Sequence, residues 1–228
     1  MALVIGKGIG PPAACKRKND ERGNSGRYRA VIGCGEKISG TAMYSSFMSE
    51  RDCHMRIRPY IESRDFASVE TWIEDEKIHA LWCADLIPYP VTKENFHAFL
   101  EKNALEWTDS AYVATEKSGE LIGFFCYSVN AGEDAGFLKL VIVDRNKRGS
   151  GYGKEMLKLA LQYAFEITGV KTVRLNVFDE NAAAKHVYEK VGFREDSIDR
   201  NVFSFKGELW SRCHMTAAKR GPEGSDKT

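Results

Sequence analysis

Residues 137–165 read FLKLVIVDRNKRGSGYGKEMLKLALQYAF, and the fold turns on how they divide. Phe137–Val143 is an almost unbroken apolar run, which predicts a strand buried on both faces. From Tyr152 the apolar positions recur at helical spacing to about Thr168, and Gly169 supplies a helix stop. Between them stands RGSGYGK, Arg148 to Lys154, with three alternating glycines flanked by cations. Strand, glycine-rich turn and helix together make an anion cradle. Glycine admits a ligand close to the backbone. The first amides of the helix lack internal partners, and the helix dipole favours negative charge there. Arg148 can add charge-assisted hydrogen bonds.

Three phosphate-binding patterns compete for this turn. A P-loop needs G-x-x-x-x-G-K-[ST]. Gly153-Lys154 would fix its frame, but Arg148 stands at the first glycine and Glu155 at the metal-binding hydroxyl. Both departures disfavour a nucleotide triphosphatase, which is the weakest of the functions considered. A dinucleotide fold needs G-x-G-x-x-G, and Gly149, Gly151 and Gly153 are spaced G-x-G-x-G. The pattern R-x-x-G-x-G fits Arg148, Gly151 and Gly153.

Working outward, Lys171–Phe178 predicts a further strand. It is reached through a crossover helix and should therefore lie parallel to the strand over 137–143. Asn181–Val191 predicts a short helix stopped by Gly192, and Val202–Met215 a closing hairpin. Upstream, Ser110–Lys117 and Glu120–Asn130 flank a Ser-Gly turn and predict another hairpin. Met55–Tyr60 reads as a strand. A helix capped by Asp65 or Ser68 should run through VETWIEDEKIHALW, and Thr92 should cap a helix with Phe96, Phe99 and Leu100 on one face. The expected class is a mixed α/β sheet with one parallel pair at its middle, flanked by helices.

LNVFDENAAAKHVYEKVGF places Asn181, Ala184, Tyr188, Gly192 and Phe193 in the frame N-x-x-A-x-x-x-Y-x-x-x-G-F. With R-x-x-G-x-G upstream at matching separation, the chain resembles the GCN5-related N-acetyltransferase (GNAT) family over residues 55–219. The resemblance implies a splayed parallel strand pair and transfer of an acetyl group from acetyl-CoA to an amine. It implies that the backbone of Val141, Ile142 and Val143 pairs with the pantetheine arm. The pyrophosphate would lie on the amides of Arg148, Gly149, Ser150, Gly151, Tyr152 and Gly153. Asn181 would bind the cofactor arm, and Tyr188 would act as general acid towards the departing thiolate. Some members carry a glutamate base at the position of Asn176, and an amide cannot serve as a base. Glu133, Asp134 and Asp179 are substitutes by location, each also readable as a solvated loop acid. His186, Lys185 and Lys147 are candidates for the 3′-phosphate. The loop ADLIPYPVTKE is the place to look for acceptor specificity. The alternative is a non-catalytic acyl-CoA-binding module, which Asn176 favours and Tyr188 opposes.

The remaining composition narrows the setting. The formal charge is +1 over 228 residues, so no global field points to nucleic acid. No apolar run approaches the ~20 residues of a membrane helix. Six dispersed cysteines form no C-x-x-C pair, and the histidines show no metal spacing, so neither a disulfide scaffold nor a metal is expected. A cytoplasmic setting is the expectation, and the resemblance admits a homodimer. Residues 1–54 are rich in Gly and Ser without sustained period, and read as a poorly ordered extension, or as sequence upstream of a true start at Met55. Residues 220–228 read as a flexible tail.

Overall fold

The computed structural model describes residues 55–219; the extension expected over 1–54 and the tail over 220–228 lie outside the described residues. The architecture is one seven-stranded sheet, ordered β1-β2-β3-β4-β5-β7-β6, with helices on both faces. β1 (Met55–Pro59), β2 (Ser110–Glu116), β3 (Leu121–Asn130) and β4 (Ala135–Val143) form an antiparallel meander. β4 then pairs in parallel with β5 (Thr172–Phe178), after the crossover helix α4 (Tyr152–Gln162). α5 (Ala182–Val191) leads to the hairpin of β6 (Arg194–Phe205) and β7 (Glu208–Ala218), and β7 pairs with β5.

Two apolar layers sandwich the sheet. On one face α4 contributes Met156, Leu157, Ala160 and Leu161, packed with Leu138, Val173, Leu175, Val177 and Tyr188. On the other, α1 (Glu62–Thr71), α2 (Glu76–Cys83) and α3 (Lys93–Trp107) bury Phe66, Val69, Trp82 and Phe96 against Phe124, Cys126, Leu140 and Ile142. The near-continuous apolar reading of β4 follows from this double burial.

One expected helix is two. The run through residues 69–82 breaks after Trp72, and Asp75 opens α2 by accepting the Ile78 amide at 2.8 Å. α1 starts earlier than its expected caps. Asp65 lies inside it, fully buried, and accepts from the Ile61 amide at 2.8 Å and from both terminal nitrogens of Arg58 at 2.7 Å. Thr92 does cap α3, in a reciprocal capping box with Asn95. α4 continues as a π-helical turn over Tyr163–Ile167, closed by the Thr168 amide on the Tyr163 carbonyl at 3.1 Å. β6 begins well before Val202. Its first half, REDSIDRN, is a charged, exposed edge strand and carries no apolar alternation to announce it.

Candidate active site

A break in the central pairing makes the site. β4 and β5 are paired only at Ala135–Phe137 against Thr172–Arg174. Beyond that, β4 bulges: Phe124 faces Ile142 and Cys126 faces Lys139, so β4 holds one residue too many. Leu140 absorbs the surplus in a left-handed conformation, φ 52°, although fully buried. The bulge bends β4 away from β5 and, among the described residues, leaves the edge of Val141–Val143 unpaired on that side.

A cavity of about 560 Å³ fills the gap, a size suited to a small-molecule or cofactor ligand. Of the residues singled out in the sequence, Val141, Ile142, Val143, Arg148, Gly149, Gly151, Gly153, Asn176, Asn181 and Tyr188 line it. α2 adds Ile78, Leu81 and Trp82 from the opposite face, so the cavity passes through the plane of the sheet. Ser150 and Tyr152 are not in its wall. The Tyr152 hydroxyl donates instead to Glu116 at 2.7 Å.

The glycine turn is shaped as a cradle. Gly149 and Gly151 adopt φ of 78° and 92°, and a Cβ on either would enter open space. Conformation, not crowding, is what calls for glycine there. Gly151 is the N-cap of α4 without a side-chain cap, and the first bond of the helical ladder runs from the Glu155 amide to the Gly151 carbonyl at 3.1 Å. The amides of Tyr152, Gly153 and Lys154 precede that bond. Arg148, Lys154 and Lys190 bring positive charge to the wall, with His186 beside them, and no carboxylate lines it among the described residues.

Arg148 is less free than its place in the motif suggests. Its Nε donates to the Val143 carbonyl at 3.1 Å, one terminal nitrogen to the Trp72 carbonyl at 3.1 Å and the other to Glu74 at 3.3 Å. It fastens the α1–α2 linker to the cradle. Of the candidates for the 3′-phosphate, His186 reaches the wall. Lys147 is turned to Glu116 and Glu120, and Lys185 is paired with Glu195. Lys154 and Lys190 were not singled out as ligands, since single lysines on helices carry no pattern.

Tyr188 is 6% exposed and stacks edge-on against Phe193. Burial pushes its phenol well above the ordinary value, so it stays protonated. Its hydroxyl has no hydrogen-bond partner among the described residues, and the side chain borders the cavity. Asn181 caps α5 by accepting the Ala184 amide at 3.2 Å, and its amide nitrogen has no partner among the described residues.

The acids proposed as substitutes for the missing base do not gather here. Glu133 and Asp134 pair with Arg174 and Lys171 at the opposite end of β4, roughly 20 Å from the bulge at the strand rise. Asp179 lies outside the wall and accepts the Ser211 amide at 2.9 Å. The loop over residues 84–92 stays outside the wall as well. It is tied down by His79 on the Ile87 carbonyl at 2.8 Å and by Asn95 on those of Pro88 and Pro90.

The sequence pattern of the acetyltransferase (GNAT) family matches residues 67–193. The chain belongs to this family. The match takes in α2, the bulged strand, the cradle and Tyr188, which are the parts that build the cavity. Among curated relatives, mycothiol acetyltransferase of Streptomyces avermitilis is 35% identical over 100 residues, 43% of this chain and 32% of that protein. The chain thus spans about a third of the length of the mycothiol acetyltransferases that it matches. Spermine/spermidine N(1)-acetyltransferase of Bacillus subtilis is 27% identical over 143 residues, 52% of this chain and 88% of that protein. Spermidine N-acetyltransferase from Vibrio cholerae, solved with CoA and spermine, superposes with a TM-score of 0.63 at 20% identity, covering 72% of this chain and 95% of that one. At that identity the likeness speaks for the fold.

Proposed function

We propose that this GNAT-family chain transfers the acetyl group of acetyl-CoA to a primary amine. The observation that carries the reading is the cavity itself. It runs from a cradle of helix-end amides and cations, along the unpaired edge of β4, to a protonated phenol. Pyrophosphate suits the amides of the turn and of Tyr152–Lys154. The amide links of pantetheine suit the backbone of Val141–Val143, as an added strand would. The Asn181 amide nitrogen is available to a carbonyl of the same arm. The thioester then lies where the strands part, between Tyr188 and Asn176.

In that position an amine entering from the α2 face meets the carbonyl carbon. A β4 amide donates to the oxygen as charge develops on it. Tyr188 donates a hydrogen bond to the sulfur as the C–S bond breaks. Polyamines are the first acceptors to try, because the polyamine acetyltransferase is matched over most of its own length. The free thiols of Cys83, Cys126 and Cys213 suit a reducing cytoplasm.

Calorimetric titration with acetyl-CoA, with ATP and NAD as controls, tests the binding half. One-to-one binding of acetyl-CoA alone is expected, followed by release of free CoA in the presence of spermidine. A folded protein that binds no acetyl-CoA refutes the proposal. A second reading, a non-catalytic acyl-CoA sensor, is favoured by the amide at Asn176. It requires Tyr188→Phe to bind acetyl-CoA normally and the wild type to release no CoA with any amine.

A further inference from the structure

The acceptor arrives as an ammonium ion with a pKa near ~10.4 and must lose a proton before it can attack. Asn176 cannot take it, and no carboxylate lines the cavity among the described residues. One strand over, the sheet offers another group. Val173, Leu175 and Val177 of β5 point into the α4 layer, as do Cys213, Met215 and Ala217 of β7. By alternation, Asn176 and His214 point to the opposite face, the side from which α2 contributes to the cavity. They are direct cross-strand partners, which sets their Cβ atoms about 5 Å apart; Asn176 is in the cavity wall, and His214 lies outside it, one strand behind.

His214 is oriented. Its Nε2 lies 2.8 Å from Asp199 Oδ2 on β6. A carboxylate facing Nε2 fixes the proton there in the neutral ring and leaves Nδ1 with its lone pair. The imidazole hydrogen bond in turn holds the Asp199 carboxyl below its usual range. The pair is wet, with side chains 32% and 51% exposed. Such a pair contributes little to stability, and water can carry a proton away from it.

We propose that His214, positioned by Asp199, is the general base that takes the acceptor's ammonium proton through one water that bridges past Asn176. This rests on the amine acetyltransferase reading above. The ammonium gives one proton to the bridging water, which passes one of its own to Nδ1. The freed lone pair forms the C–N bond while the C–S bond breaks, and the remaining excess N–H proton ends on the sulfur. The imidazolium returns its proton to water. Acetyl-CoA and an ammonium ion thus yield an amide, CoA thiol and one proton.

Other charged groups on this face are paired or buried. Asp196 accepts from Thr216 at 2.5 Å, Arg174 pairs with Glu133 and Lys139 with Asp109, while Arg212 is buried two residues along β7. Arg174, Lys139 and Arg212 are cations without a basic lone pair, and Asp196 is a carboxylate held at Thr216, two residues along β7 from His214.

The test measures kcat/KM for spermidine and a panel of small primary amines from pH 5.5 to 10, in wild type, His214→Gln and Asp199→Asn. In the wild type, kcat/KM should rise with unit slope at acid pH and level off before the amine itself titrates. His214→Gln should fall about 10²- to 10³-fold at pH 7.5, the scale of one lost general base. It should keep rising with unit slope to the ionisation of the amine, with acetyl-CoA affinity unchanged. His214→Ala should regain activity with added imidazole. Asp199→Asn should lower kcat about 10-fold without weakening acetyl-CoA binding, and alkaline pH should offset the loss. If His214→Gln follows the wild type at every pH, the proposal is wrong and the acetyltransferase reading survives. If the wild type releases no CoA with any amine, both fall together.

Discussion

Gly153→Ala should make the protein more stable and a poorer binder of acetyl-CoA. Gly153 is the second residue of α4 and has no positive φ; a Cβ there would meet only Val143 Cγ2 at 3.5 Å, an ordinary contact. Nothing in the fold therefore requires glycine. Alanine is favoured over glycine in a helix by about 0.8–1.0 kcal/mol, somewhat less in the first turn. We expect a gain of about 0.5–1 kcal/mol, or roughly 1–4 °C in Tm for a domain of this size. The same methyl group rises beside Val143, in the wall of the cavity, next to amides that precede the first bond of the helix. Pushing an anion off one such amide forfeits a hydrogen bond worth about 1.5–3 kcal/mol, so Kd should weaken about 10- to 150-fold. Thermal melts and calorimetry on the same preparation read both effects. Gly151→Ala is the control. With φ at 92° and open space around it, it should lose about 1–2 kcal/mol of stability through strain alone. A Gly153→Ala protein that is stabilised yet binds acetyl-CoA like wild type would refute the placement of the phosphate on these amides.

Tyr188→Phe should lower kcat about 10-fold or more and leave acetyl-CoA affinity intact, as stopped-time CoA release and calorimetry will read. Because burial holds this phenol protonated, the wild-type profile should show no limb from its loss of a proton below pH 10. Arg148→Ala removes donors to Val143, Trp72 and Glu74. It should cost about 1–2 kcal/mol in urea unfolding, and Arg148→Lys should not restore it, since a point charge cannot span all three. Asp65 reports on acid stability. Burial alone would raise its carboxyl, but the hydrogen bonds from Arg58 and Ile61 outweigh it and hold the group below its reference value of 3.8. The folded form is thus the stronger acid. Its contribution is present above about pH 4 and lost as pH falls through the folded value. Asp65→Asn should cost about 2–4 kcal/mol at pH 7 and flatten the stability profile between pH 2 and 5.

Much of the site was legible because it is built from local pattern. The cradle, Asn181 and Tyr188 each sit in a short frame whose spacing fixes their element, and the structure brings them to one wall. The parallel pair followed from a strand, a helix and a strand in succession. The break between α1 and α2 was hidden because Trp72, Ile73, Ile78 and Leu81 keep near-helical spacing across it. Only Asp75, capping Ile78, marks the new start. The charged half of β6 was hidden for the converse reason, since an edge strand exposed along its length has no buried face to write into the sequence.

The binding side of Arg148 shows a different limit. A motif assigns one job to a residue, and the structure gives this arginine a second, joining the α1–α2 linker to the strand that carries the cavity edge. Arg148 thus ties the cradle to the α1–α2 linker, and a variant there will disturb both. The base is where local reading fails outright. A search along β5 ends at Asn176, an amide, and a search by charge ends at Glu133, Asp134 and Asp179, which lie away from the cavity wall. His214 and Asp199 belong to β7 and β6, and only the cross-strand register makes His214 the neighbour of Asn176, one strand behind the wall. A histidine on β7 can supply what position 176 lacks because a sheet makes neighbours of residues that share no sequence window. The chemistry at that position is therefore a property of a row across the sheet, and substitution at 176 alone does not decide whether the site has a base.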